Sequence, residues 1–217
     1  NLILQGAPGT GKTYTTASIA LKVLGIQSVD WEKHEAVMEE YDKLIDAGRI
    51  AFTTFHQSMD YEDFVEGYKP VDGGTDMKFV LKPGVFRTIC ERAKDTPCVL
   101  IIDEINRGNI SKIFGELITL LEADKRDGGN HRIQVNLTYS QKPFSVPANL
   151  YIIGTMNTTD RSVGGIDYAL RRRFAFYTLK SDRSVVEDRY SNVDLRNKAT
   201  ALFDKVEDFL KDNPADM

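Results

Sequence analysis

The residues with the most chemistry in them stand almost at the start of the chain. Gly6-Ala7-Pro8-Gly9-Thr10-Gly11-Lys12-Thr13 packs glycines, a lysine and a hydroxyl between an apolar run and a helix-like run. The spacing fits GxxxxGK[ST], a pattern that cradles phosphates when it joins a strand to a helix. Phosphate oxygens carry dense negative charge. Glycines let backbone N–H groups converge on them with no side chain in the way. A helix starting near Lys12 aims its positive end at the same place. Lys12 adds a full charge for the β- and γ-phosphates, and the Thr13 hydroxyl can ligate Mg2+. Tyr14, next in line, is counted among the nucleotide contacts.

A triphosphate site also needs a metal anchor and a way to activate water. "VLIIDE" supplies both: Asp103 ends a buried strand, where it can hold Mg2+ through water, and Glu104 points elsewhere and can polarise the attacking water. Two acids capping a strand end are a common surface arrangement; the phosphate loop is what tips the reading toward hydrolysis. "GTMNTTD" ends another apolar strand, and Asn157 there is placed to orient water beside the γ-phosphate. Asp160 and Arg161 follow, either to buttress the loop or to reach a neighbour. "ALRRRF" carries Arg171, Arg172 and Arg173 at a helix end. Cations there are favourable in any case, but three exceed what a cap needs. A guanidinium given in trans to a neighbour's γ-phosphate would neutralise transition-state charge, with Arg172 and Arg173 the leading choices.

These residues need a scaffold that brings strand ends together. "NLILQ" reads as a buried strand, and "KTYTTASIALKVLG" as a helix stopping at Gly25. "DWEKHEAVMEEYDKLIDAG" is charged and helix-prone, which suggests a solvated insertion. "IAFTTF" is a strand, "DYEDFVEGYKPVDGG" a turn-rich loop with a short helix, and "FVLKPGVFRTICERAKD" a strand or hairpin followed by a helix. "CVLIIDEIN" and "LYIIGTMN" are continuous apolar strands. "ISKIFGELITLLEADKR" places Ile113, Phe114, Leu117, Ile118 and Leu121 on one helical face. "RIQVNLTY" and "FSVPANL" suggest a hairpin, "GGIDYALRRR" a short helix, "FAFYTL" a last strand, and the remainder is helical. Strands alternating with helices predict an α/β fold with a parallel sheet covered on both faces.

Composition sets the outer limits. The chain has 217 residues, 41% of them hydrophobic and 28% charged, an ordinary globular balance. A formal net charge of −4 disfavours a broad non-specific grip on nucleic acid. The two cysteines, Cys90 and Cys98, lie in or beside apolar segments, as buried reduced thiols do. No apolar run reaches the ~18 residues of a membrane span, and a cytoplasmic protein is expected. The chain enters a strand at Asn1 and stops just after a helix, so a piece cut from a longer protein is expected too.

Taken in order, "GAPGTGKT", "LIIDEINR", "MNTTDRS" and "ALRRRF" resemble the AAA+ superfamily of P-loop NTPases. Within it the chain resembles the McrB family, the GTP-hydrolysing motor subunits of McrBC modification-dependent restriction systems. "FHQSMDYEDFVEGYKP" and "MNTTDRS" are the most specific phrases, and the likeness runs from Asn1 to about Leu179. The resemblance implies a five-stranded core of order 5-1-4-3-2 over residues 1–180, with the beginning of a helical lid over 181–217. It implies Walker A at Gly6 to Thr13, Walker B at Asp103 and Glu104, the first sensor at Asn157, and a finger among Arg171, Arg172 and Arg173. Arg107 would lie near a subunit boundary. The substrate would be GTP or ATP with Mg2+. The partners would be further copies in a hexameric ring, an McrC-like nuclease subunit, and DNA reached through a domain or partner outside this chain. Two alternatives stand beside it: a MoxR-like or dynein-related ATPase that remodels proteins, and a nucleotide-gated assembly module.

Other conspicuous residues read as bland. His34, His131 and Trp31 are expected on solvated surface, and His56 is expected to make a structural hydrogen bond. Tyr61, Phe64 and Tyr68 are expected to form a packing cluster, or else to meet a partner. No His/Cys spacing suggests zinc.

Overall fold

The computed structural model describes residues 1–71, 77–158 and 168–212. Asp160 and Arg161 therefore lie outside the described residues. The first strand, β1 (Leu2–Gly6), leads through the phosphate loop into α1 (Lys12–Val23), followed by α2 (His34–Asp46) and β2 (Ile50–Thr54). Then come α3 (Tyr61–Phe64), β3 (Glu66–Val71), β4 (Lys78–Pro83), α4 (Val85–Ala93) and β5 (Cys98–Asp103). The second half holds α5 (Ile110–Phe114), β6 (Val135–Asn136), β7 (Pro143–Phe144), β8 (Leu150–Asn157), α6 (Tyr168–Arg171), β9 (Ala175–Thr178), α7 (Arg183–Arg189) and α8 (Val193–Asp212).

The central sheet has five strands in the order β2-β5-β8-β1-β9, and every neighbouring pair is parallel. Counted along the chain within that sheet, this is the expected 5-1-4-3-2. Its strands are apolar on both faces because both faces are covered. Along β5 the side chains alternate. Cys98, Leu100 and Ile102 enter one core with Phe55, Phe64, Phe86 and Phe114. Val99 and Ile101 enter the other with Ala17, Leu21, Val37 and Leu44 from α1 and α2. Each such side chain contributes about 1.5–3 kcal/mol by leaving water, so Ile101→Ala would loosen the sheet from α1 and α2.

Three expectations are corrected. The segment read as a solvated insertion is α2, and it is half of the second core: Val37, Tyr41 and Leu44 are buried. Their i, i+4, i+7 stripe was hidden by the density of charge on the outer face, where Lys43 reaches Glu39 at 3.1 Å. Trp31 is likewise half-buried, packed against that core with the Lys22 ammonium 5.1 Å above its ring. Second, the segment around Tyr68 is not simply a loop: β3 and β4 pair antiparallel from Glu66↔Pro83 to Val71↔Lys78. Third, the helix expected from Ile110 onward breaks at Gly115 (φ 52, ψ −131) and continues as a 3-10 turn over Gly115–Leu121. That backbone setting suits glycine. The break re-aims the chain so that Leu120 as well as Leu117 and Leu121 are buried, while Ile118 is only partly covered.

The hairpin of β6 and β7 forms as expected, though each strand is two residues long. The buried Glu66 fastens it to β3 by accepting from the Tyr139 and Ser140 amides at 3.1 and 2.8 Å and from Arg87. Phe64 is fully buried among aromatic rings, whereas Tyr61 and Tyr68 pack against Tyr139 instead. Beyond β9, α7 and α8 lie together, joined by Arg183 to Asp204 at 2.9 Å. Among the described residues no helix is long and apolar enough to cross a membrane. Cys90 and Cys98 are buried free thiols, as expected.

Candidate functional site

Parallel strands all end on the same side, so the residues that close β1, β5 and β8 must meet there. The register pairs Gly6 with Asn157, and Thr54 with Asp103. The Thr158 N–H donates to the Gly6 carbonyl at 3.3 Å and so ties the two strand ends together. Within the loop, Gly9 and Gly11 take φ +81 and +79 with open space where a Cβ would stand. Glycine is needed there for the left-handed backbone and not for room. Gly11 is also the residue from which α1 begins.

Lys12 lies on the first turn of α1 and bends back across the loop, donating to the Gly6 and Ala7 carbonyls at 2.9 and 2.8 Å. Burial pulls its ammonium below the ordinary lysine value; Glu104 and then Asp103 partly offset this by favouring the charge. The cation and both acids thus share one electrostatic neighbourhood at the strand ends. Thr10 closes the loop from the other side, its hydroxyl donating to the Ala7 carbonyl at 2.9 Å.

Thr155, which the sequence reading passed over, organises the acid pair. Its hydroxyl donates to Asp103 Oδ1 at 2.5 Å and accepts from the Glu104 amide at 3.2 Å. The signal was there: it is a buried threonine inside an apolar strand, two residues before Asn157. Glu104 takes a left-handed backbone (φ 52, ψ 44), uncommon for a residue with a side chain. Glu104 Oε1 accepts from the Asn157 amide at 2.5 Å, and Arg107 Nε stands 3.3 Å from Glu104 Oε2. Asn157 is therefore at the site, with its amide spent on Glu104.

The donors suit a hard divalent cation. Thr13 is exposed at the start of α1, and its carbonyl accepts the Thr16 hydroxyl at 2.6 Å. One hydroxyl and one carboxylate, Thr13 and Asp103, could serve as the sparse protein donor set that Mg2+ takes when phosphate oxygens and water fill its other positions. Among the described residues no group of three or more His, Cys, Asp or Glu could form an all-protein cage.

The arginines part company. Arg173 is a buried residue: its side chain is 3% exposed and its guanidinium meets Glu122 at 2.9 Å. Its charge is committed to Glu122 within this chain, which leaves Arg172 the more accessible of the two candidate fingers. The position of Arg173 is set by sequence neighbours on the other side of the turn, where Phe174 and Leu170 are both core residues. Arg172 shares the same Glu122 oxygen at 3.2 Å but is 62% exposed, and Arg171 is exposed as well. Asp160 and Arg161 lie outside the described residues. Of the bland residues, His34 is exposed as expected, and its ring stacks on Tyr14, centroids 4.6 Å apart at 17°. His131 is exposed beside Asp124 at 3.3 Å. His56 is exposed, and it is its carbonyl that accepts a bond, from Met59 at 3.1 Å.

Residues 34–174 match the AAA domain family, dynein-related subfamily. The chain is similar to the type IV methyl-directed restriction enzyme EcoKMcrB subunit of Escherichia coli (strain K12). That likeness is 44% identity over 186 residues, covering 83% of this chain and 35% of that protein. It is also similar to the type II restriction enzyme BsuMI component YdiS of Bacillus subtilis (strain 168), at 26% identity over 203 residues, 84% of this chain and 58% of that protein. The chain spans about a third of the first relative and under three fifths of the second. With the family match running over three of the five strands of the sheet and the acid pair, the chain belongs to the AAA domain family, dynein-related subfamily, as an McrB-like AAA+ protein.

Proposed function

We propose that this chain is the nucleotide-hydrolysing core of a restriction motor, cleaving the γ-phosphate of GTP or ATP with Mg2+. The observation that carries the reading is the convergence of Lys12, Asp103, Glu104 and Asn157 at one end of the sheet, under the amino end of α1. Backbone amides from Gly6 to Thr13 would receive the β- and γ-phosphates, with Lys12 released from the Gly6 and Ala7 carbonyls to meet them. Mg2+, held by Thr13 and by Asp103 through water, would supply charge neutralisation on those phosphates. Asp103 is kept in orientation by Thr155. Glu104 takes the proton of the attacking water. Arg172, exposed at the turn after α6, would complete the site of an adjacent copy in a ring, where a guanidinium offsets the developing charge.

The restriction assignment comes from the two relatives, both named as restriction-enzyme components. By that likeness the partners are further copies of the chain, an McrC-like nuclease subunit and DNA reached through another domain or protein. A second reading, an ATPase that remodels proteins, is favoured by the dynein-related subfamily match. Phosphate release from GTP and from ATP, with Mg2+ and with or without the nuclease partner, tests both. Preference for GTP and stimulation by the nuclease support the motor; ATP turnover indifferent to it supports remodelling. Lys12→Ala should abolish binding of either nucleotide. Glu104→Gln should bind yet turn over ~10^2–10^4-fold more slowly. Wild-type protein that binds neither nucleotide would sink the reading.

A further inference from the structure

One carboxylate stands between two of the three adjacent arginines. Glu122 Oε1 lies 2.9 Å from Arg173 Nη2 and 3.2 Å from Arg172 Nη2, and that oxygen is closed to solvent. The two guanidinia differ in depth: the Arg173 side chain is 3% exposed and that of Arg172 62%. A single negative charge facing two positive ones leaves one positive charge over, and Arg172 carries it at the surface. One nitrogen engaged with Glu122 leaves the other donors of the planar fork accessible to an oxyanion. The backbone on both sides is held. The turn after α6 is closed by the Arg173 and Phe174 amides, which donate to the Leu170 carbonyl at 2.9 and 3.1 Å, and Leu170 and Phe174 are core residues. Glu122 joins the 3-10 turn Gly115–Leu121 to the next one, Ala123–Lys125, with Leu121 buried just before it. A single amide ties the two segments together: Asn1 Nδ2 donates to the Leu121 carbonyl at 3.0 Å and to the Arg173 carbonyl at 3.2 Å. An arginine in solvent samples many rotamers, but here its anchor is fixed by packing on both segments. A half-exposed ion pair adds little stability; what this one supplies is a direction.

We propose that Glu122 is a positioning residue that holds the Arg172 guanidinium in the pose from which it reaches the γ-phosphate bound by an adjacent copy. This rests on the reading of the chain as a hydrolase completed in trans by Arg172. Glu122 acts only through that arginine, so its loss impairs the neighbour's site and spares its own. That separation is what the experiment reads.

The test uses the full-length protein in its assembled state. Phosphate release from GTP and from ATP with Mg2+ is measured for wild type, Glu122→Gln and Arg172→Ala. Each is assayed alone and mixed in equal amounts with Glu104→Gln subunits, and fluorescent-nucleotide affinity and thermal midpoint are recorded beside it. Glu122→Gln alone should lose about 10^2-fold in kcat, the scale of a group misplaced by an ångström, with nucleotide affinity kept. Arg172→Ala should lose more, ~10^3-fold. Mixed with Glu104→Gln, Glu122→Gln should recover most of the turnover that wild type shows in the same mixture, because the Glu104→Gln neighbours present an intact Arg172 and Glu122. A merely structural Glu122 would lower the midpoint and stay slow in the mixture. The proposal is overturned if Glu122→Gln turns over like wild type, if mixing brings it no closer to the wild-type mixture, or if Arg172→Ala keeps full turnover. Should Glu122→Gln not fold, Glu122→Asp, which keeps a counter-charge for Arg173 but shortens the reach to Arg172, is read by the same criteria. If wild type binds nucleotide yet releases no phosphate, with or without the nuclease partner, the hydrolase reading itself falls. A loss confined to the variants and reversed by mixing cannot be produced by that failure.

Discussion

At the C-terminal ends of the strands, Lys12, Glu104 and Asn157 are partly covered and bonded to one another or to loop carbonyls. At the N-terminal ends, Arg126 and Arg173 are buried and committed to fixed partners. Arg126 donates to the Leu150 carbonyl, to Asn1 Oδ1 at 2.8 Å and to the Leu121 carbonyl at 3.2 Å. Arg173 is held by Glu122. Burial pulls the Arg126 guanidinium below its ordinary value, yet its partners leave it no other role. One end spends its charges on holding the sheet together. The other holds contacts that a triphosphate can replace: a lysine on two carbonyls, an amide on a carboxylate. A buried charge with neutral or oppositely charged partners on several sides is costly to disturb, whereas half-exposed pairs are worth little and exchange easily. This contrast separates structural from functional cations more sharply than residue type does.

The largest effect expected from breaking the comparison is at Arg172. In the assembled protein, Arg172→Ala should lose ~10^3-fold or more in turnover while nucleotide affinity holds. If Arg172→Ala turns over normally and Arg173→Ala instead loses turnover with an unchanged thermal midpoint, the division between the two arginines is wrong. The next effect belongs to the other end. Arg173→Ala and Arg126→Met should each destabilise the chain by about 3 kcal/mol, read as a fall in the urea midpoint. Nucleotide binding at low temperature should be kept. Smaller still, Gly115→Ala should cost about 1–3 kcal/mol, because its backbone lies outside the region comfortable for a side chain. A Cβ there would also come 3.1 Å from the Tyr61 ring. The smallest is a null result with a physical cause. Burial pushes the Cys90 and Cys98 thiols up, so neither should react with a thiol reagent at pH 8 until the protein unfolds. Rapid labelling of the folded chain would show that the core beneath β5 opens.

What could be read from the chain alone was whatever is local in sequence and periodic. The phosphate loop is one unbroken stretch, and its glycines, lysine and hydroxyl are needed in that order by the geometry of a strand turning into a helix. The continuous apolar runs at Cys98–Asp103 and Leu150–Asn157 announce strands buried on both faces, and so a parallel sheet. Their terminal acids and amide follow from where those runs stop. The stripe of α2 was present but masked, since Val37, Tyr41 and Leu44 are outnumbered by charged neighbours on the other three quarters of the helix.

What only the tertiary structure decided was which partners meet across long separations. Thr155 finds Asp103 across two strands, Arg107 turns back on Glu104, and Glu122 claims Arg173 while leaving Arg172 half in solvent. Three adjacent arginines are identical as letters. Their burial depends on the angle at which the turn after α6 enters β9, and that angle is set by core packing around Leu170 and Phe174, not by the arginines themselves.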